Sequence, residues 1–117
     1  MLNITDSANI FLIPGPTDMR KGMDRLSLLV ADRTKENVFS GALFIFCSRN
    51  RKTIKILYWD RNGFCLWQKK IDQEKFWWPK DVVEARKMRA HELRWLLDGL
   101  DPTDVVGHKE FKFSTIF

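Results

Sequence analysis

Between residues 41 and 71 lysines and arginines alternate with tryptophans and phenylalanines, and this interleaving is the plainest chemistry the sequence offers. Cations at this density can neutralise phosphates, while aromatics among them can stack on unpaired bases or fill a core. The candidate contacts to a nucleic-acid backbone are Lys55, Lys69 and Lys70 on predicted strands, Arg49, Arg51 and Lys52 in one predicted turn, and Arg61 in the next. Arg20 and Lys21 follow as second-rank contacts near a predicted helix start, where the positive end of the helix adds to their field. The hairpin containing Lys55 admits two registers. A two-residue Asn62-Gly63 turn sets Lys55 opposite Lys70, and a three-residue Arg61-Asn62-Gly63 loop sets it opposite Lys69. In both, lysine faces lysine, which is unfavourable by up to about 1 kcal/mol unless an anion lies between them. The alternative is that the lysine stems extend to water or meet a carboxylate such as Asp72 or Glu74.

Other chemistries have less to work with. A metal-dependent nuclease needs converging carboxylates, and Asp18, Asp24, Asp60 and Asp72 show no spacing that would bring them together. Asp18 reads as a helix cap and Asp60 as a turn residue. Cys47 and Cys65, with His91 and His108 far apart, give no zinc spacing and read as free thiols. No phosphate-binding glycine loop is present. The expectation is a binding protein with no catalytic residues, no metal and no cofactor.

The elements that must position the cations follow from the pattern of apolar residues. Three β-type runs, Gly41 to Cys47, Thr53 to Trp59 and Phe64 to Ile71, are joined by polar turns and predict a meander. Asn9 to Ile13 predicts a first, possible edge strand, ended by Pro14-Gly15-Pro16. Met19, Met23, Leu26 and Val30 at helical spacing predict a helix from about Asp18 to Ala31, capped by Thr17 or Asp18, with Gly22 suggesting a close backbone approach. Val82, Val83 and Ala85 fit either a helix start or a short strand, and the leucine stripe from Leu93 to Leu100 predicts a last helix at about Ala90 to Asp98. The result is an α+β fold, an antiparallel sheet around the meander packed by two main helices, in a single domain. Its core spans about residues 9–101, and the tail 102–117 is frayed or docks as a strand through Phe111 and Phe113.

Composition agrees with a folded, basic protein. Hydrophobic residues make up 44% of 117, and nine Phe, five Trp and one Tyr are ample for one core, which excludes disorder over most of the length. Twenty Lys and Arg against fifteen Asp and Glu leave a net charge of +5, which favours polyanionic partners. No apolar stretch is long enough for a membrane span and no leader pattern is visible, so the expected location is the cytoplasm.

Several blocks, taken together, resemble a known family. They are Thr17-Asp18-Met19-Arg20-Lys21-Gly22-Met23-Asp24, Ser40-Gly41-Ala42-Leu43-Phe44-Ile45-Phe46, Ile54-Lys55-Ile56-Leu57-Tyr58-Trp59-Asp60, Gly63-Phe64 and Leu96-Leu97-Asp98-Gly99-Leu100-Asp101. In this order they resemble the TnpB proteins, second open reading frame products of the insertion-sequence-sixty-six class of bacterial transposable elements. The resemblance covers about Ile10 to Asp101. It implies a small, nucleoid-associated accessory protein encoded beside a separate transposase and needed for efficient transposition, with DNA and that transposase as partners. Two departures stand out. Arg89 replaces the usual threonine or serine before the last helix, and His108-Lys109-Glu110-Phe111-Lys112 replaces a Lys- and Arg-rich tail. Two molecular activities fit the resemblance: DNA binding through the cations above, or an adaptor that docks on the transposase through the apolar Phe76-Trp77-Trp78 cluster or a sheet edge.

Overall fold

The computed structural model describes residue 2 and residues 4–80 and 85–102. Along the chain run β1 (Ile10–Pro16), α1 (Met23–Arg33), β2 (Leu43–Cys47), β3 (Thr53–Asp60), β4 (Gly63–Lys70), β5 (Arg86–Met88) and α2 (Ala90–Leu97). They build an α+β fold whose five-stranded sheet has the order β4-β3-β2-β1-β5. β2, β3 and β4 form the expected antiparallel meander. β1, however, pairs with β2 in parallel, and β5 closes the other edge antiparallel to β1. The parallel pair follows from connectivity, because the chain leaves β1, crosses through α1 and re-enters in the same direction, as a β-α-β unit requires.

β2 is buried at all five positions, as its unbroken apolar run Leu43-Phe44-Ile45-Phe46-Cys47 demands of a central strand covered on both faces. Alternation then sorts the sheet into two cores. One gathers Leu12, Ile45, Ile54 and Ile56 with Phe76, Trp78 and the α2 residues Leu93, Leu96 and Leu97. The other gathers Ile13, Phe44, Phe46 and Leu57 with Leu26 and Val30 of α1. The helices therefore lie on opposite faces. Any charged residue of the meander is committed to one helix or the other by its parity.

Helix α1 starts later than the sequence suggests. Neither Thr17 nor Asp18 caps it: the Thr17 N–H donates to the Cys47 carbonyl at 2.8 Å, and the Asp18 carboxylate accepts from the Arg20 N–H at 2.9 Å. Gly22 is the cap residue, in extended conformation, and a Cβ there would meet nothing within 4 Å, so no close approach explains it. Helix α2 lies almost where its leucine stripe places it. The Arg89 N–H donates to Glu92 Oε1 at 2.9 Å, which is half of a capping box. Arginine has no acceptor to complete the other half. At the far end Gly99, at φ 84, lets its N–H reach the Leu96 carbonyl (3.0 Å) and the Leu100 N–H reach the Trp95 carbonyl (2.9 Å), a Schellman ending. Val82 and Val83 and the tail from 103 onward, with Phe111 and Phe113, lie outside the described residues.

The β3–β4 hairpin takes neither expected register. Asp60 pairs with Gly63 around an Arg61-Asn62 turn in which Arg61, not Asn62 or Gly63, has the positive φ of 53. Lys55 consequently faces Gln68, while Lys69 faces Ile54 and Lys70 faces Thr53. No lysine lies directly opposite another, so the like-charge cost of the expected registers is avoided.

The two cysteines are free, Cys47 buried and Cys65 half-buried. Burial pushes the Cys47 thiol up to about 12 from an ordinary 9.0, against a smaller downward pull from Arg51. At pH 8 a thiol reagent is expected to label Cys65 in the native protein and Cys47 only on unfolding, read by mass after quenching. Between pH 9 and about pH 12 the unfolded Cys47 ionises before the folded one, so its contribution makes stability fall as pH rises through that window.

Candidate nucleic-acid interface

Because β1 and β2 run parallel, the loops that follow them emerge at the same end of the sheet. The loop after β2 is a preformed turn. Ser48 Oγ lies 2.7 Å from Asn50 Oδ1 and accepts the Lys52 and Thr53 N–H groups at 3.2 and 3.1 Å, and the Ser48 carbonyl accepts the Arg51 N–H at 3.0 Å. Arg51 holds φ 60, a left-handed conformation that costs a non-glycine residue roughly 1 to 2 kcal/mol. In that conformation its carbonyl accepts the Phe76 N–H at 2.7 Å. The segment 75–80 is pinned further by Gly15 N–H to the Pro79 carbonyl at 2.9 Å and by Trp78 Nε1–H to the carbonyls of Gly15 (3.0 Å) and Ile13 (3.2 Å).

Three segments fixed in this way enclose two adjoining clefts. The smaller, about 390 Å³, is lined by Arg49, Arg51, Lys75 and Lys80 and, among the described residues, by no carboxylate. The larger, about 680 Å³, shares Pro16, Ser48 and Arg49 with it and adds Arg20, Lys70 and Asp18. Asp18 is already engaged, with Arg20 Nη2 at 2.7 Å and Nε at 3.0 Å from its oxygens. Those bonds hold its carboxyl well below the usual carboxylate range. Arg49, Arg51, Lys70, Lys75 and Lys80 are all exposed, and none makes an ion pair among the described residues.

The cations anticipated from the sequence divide into two groups. Arg49, Arg51, Lys70 and Arg20 line the clefts. Lys55 does not: it is 9% exposed, and its Nζ donates to the carbonyls of Met19 at 2.7 Å and Lys21 at 3.4 Å, holding the loop that carries Arg20 and Lys21 onto the sheet. Lys69 lies on the opposite face, where its Nζ donates to the Leu97 carbonyl at 2.7 Å and sets a cation at the negative end of α2. Lys52 reaches the Asp72 carbonyl at 3.0 Å. Arg61 sits at the other end of β3, eight residues or roughly 25 Å away at the usual strand rise. The stripe of cations along the sheet is thus replaced by a basic end.

The aromatic cluster proposed for docking is divided as well. Phe76 is fully buried and Trp78 is 7% exposed, both in the α2-side core, so neither presents apolar surface. Trp77 is half-buried, with Arg86 Cζ 5.8 Å from its ring centre. Lys75 and Lys80 are missing from the sequence-based set. Their one local signal is that they flank Phe76-Trp77-Trp78-Pro79, whose burial fixes where the flanking charges emerge. Among the described residues no group of three or more His, Cys, Asp or Glu gathers, and no helix is long and apolar enough to cross a membrane.

A family model described as IS66 Orf2 like protein matches residues 8–106, which include β1 to β5, α1, α2 and the cleft-lining cations among the described residues. The chain belongs to the IS66 Orf2-like family. This is the family that the sequence blocks resemble, and it ties the chain to an accessory role associated with transposition. Two proteins of Sinorhizobium fredii (strain NBRC 101917 / NGR234) are similar over most of their length. The uncharacterized protein y4hO is 34% identical over 101 residues, 86% of this chain and 88% of that one. The uncharacterized protein y4jC is 30% identical over 105 residues, 90% of each chain. No solved structure matches this family member.

Proposed function

We propose that this IS66 Orf2-like protein serves transposition by gripping the phosphate backbone of DNA with the basic end of its sheet, without chemistry of its own. The observation that carries this reading is the gathering of Arg49, Arg51, Lys70, Lys75 and Lys80 around two adjoining clefts in which, among the described residues, the one carboxylate, Asp18, is taken up by Arg20. Like charges held together on a fixed scaffold repel one another, and an anion relieves that repulsion. Backbone contact is favoured over base reading, because the tryptophan beside these cations, Trp78, is 7% exposed and offers little surface for stacking. The proposed setting is the bacterial cytoplasm, on the nucleoid.

Affinity for a duplex of about 20 base pairs should fall linearly with salt on logarithmic axes, with a slope near −3 to −5 for three to five phosphate contacts. Arg49→Gln, which touches both clefts, should make the slope shallower by about 1. A slope near zero, combined with a transposase complex that survives high salt and nuclease, would favour the adaptor reading. With Phe76 and Trp78 buried, that reading has to use surface such as Phe39, 55% exposed, which packs on Trp59 and Phe64 at centroid distances of 5.1 and 5.5 Å.

A further inference from the structure

We propose that the smaller cleft is a pocket for a single phosphomonoester, so that the protein recognises the phosphorylated end of a DNA strand. This rests on the backbone-binding reading above and gives it a specific ligand.

Size is the first reason. The cleft, about 390 Å³ and open to solvent, has room for a phosphate and its sugar and is too small to enclose a double helix, whose major groove alone is about 12 Å wide. Charge is the second. Arg49, Arg51, Lys75 and Lys80 line the cleft, with no carboxylate beside them among the described residues. An internal phosphodiester brings one negative charge and two free oxygens, whereas a terminal monoester brings about 1.5 to 2 charges at neutral pH and three acceptor oxygens. Two guanidiniums able to bind oxygens in pairs, with two ammonium groups as point charges, suit the second ligand better than the first.

The third reason is rigidity. The backbone beneath these side chains is fixed by Arg51 O to Phe76 N, Gly15 N to Pro79 O and Trp78 Nε1 to Gly15 O, at 2.7, 2.9 and 3.0 Å. The backbone that carries these cations is set before the ligand arrives, so less ordering cost is charged to binding. The larger cleft begins at the same Ser48 and Arg49 and carries Lys70 onward. A strand whose terminal phosphate fills the small cleft would lay its next diesters over Arg49 into the larger one.

The test compares one labelled duplex bearing a short overhang with its overhanging end phosphorylated or left as a hydroxyl, by anisotropy at physiological salt. The phosphorylated end should bind about tenfold tighter, as expected for one extra charge-assisted contact. Lys75→Gln with Lys80→Gln, both on exposed side chains, should abolish that preference and leave part of the salt dependence through Arg20, Arg49 and Lys70. Arg61→Gln, at the far end, should retain the preference. Equal affinity for the two ends with a steep salt slope would overturn this inference and leave the backbone reading standing; equal, weak binding with a flat slope would overturn both. A rise in melting temperature with millimolar inorganic phosphate, without preference for the phosphorylated end, would assign the cleft to free phosphate and overturn the strand-end assignment.

Discussion

Trp78→Ala is expected to lower the free energy of unfolding by about 3 to 5 kcal/mol, seen as a lower urea midpoint at unchanged slope. The side chain is 7% exposed and lies in the α2-side core with Phe76, Leu12 and Leu93, so removing it leaves a large cavity between the sheet and the segment that follows β4. Its Nε1–H also satisfies the carbonyls of Ile13 and Gly15, which would be left to find water. A domain of this size has roughly 5 to 15 kcal/mol in total, so the loss is a large part of it. Trp78→Phe shifts the balance between the two causes, since it loses the donor but keeps most of the apolar area; its cost should be about 1 to 2 kcal/mol. Both variants release the anchor of the arm that carries Lys75 and Lys80. Their DNA affinity should therefore fall even under conditions where they remain folded.

The second large effect is electrostatic. Changing Arg49, Arg51, Lys75 and Lys80 together to glutamine should weaken duplex binding at 0.1 M salt by about tenfold for each phosphate that they hold, because each phosphate contact carries about 0.9 of a log unit per decade of salt up to 1 M. Stability should be unchanged or slightly higher, as four like charges with no partner carboxylate among the described residues of the smaller cleft are removed. Lys55→Gln should behave in the opposite way. Its ammonium is spent on the Met19 and Lys21 carbonyls, so the change is expected to destabilise the protein by about 1 to 3 kcal/mol and to leave the salt slope nearly intact. A binding assay and a denaturation curve on the same two samples separate a phosphate contact from a structural lysine.

The contrast between those lysines shows what the sequence makes legible. Residue type and alternation are local, so the meander, the α+β class and the leucine stripe of α2 can be read directly from the chain. The parallel pairing of β1 with β2 is not written in either strand's own residues; its one signal is the strand-helix-strand order, because the pairing is made across α1. The start of α1 misleads for a chemical reason: Asp18 has the right type for a cap, but Arg20, two residues on, offers it a guanidinium and an amide at once. In the β3–β4 hairpin the Asn62-Gly63 register and the observed one differ by two positions, which leaves every side chain on the same face, so apolar alternation cannot choose between them. The site was half visible. Arg49 and Arg51 stand out in a polar turn, whereas Lys75 and Lys80 matter only because Phe76 and Trp78 fold their segment back across Arg51.

On the proposed function, DNA is met by one end of the sheet and not by its face or its β3–β4 hairpin. Backbone amide shifts of the labelled protein, followed while a short duplex is added at low salt, test that claim most directly. The predicted result is a set of perturbations at residues 15–20, 48–53 and 75–80 and at Lys70, with the Arg61-Asn62 turn and the C-terminal end of α2 unmoved. Perturbations centred on residues 60–64, or spread along β4 and absent from 48–53, would contradict it.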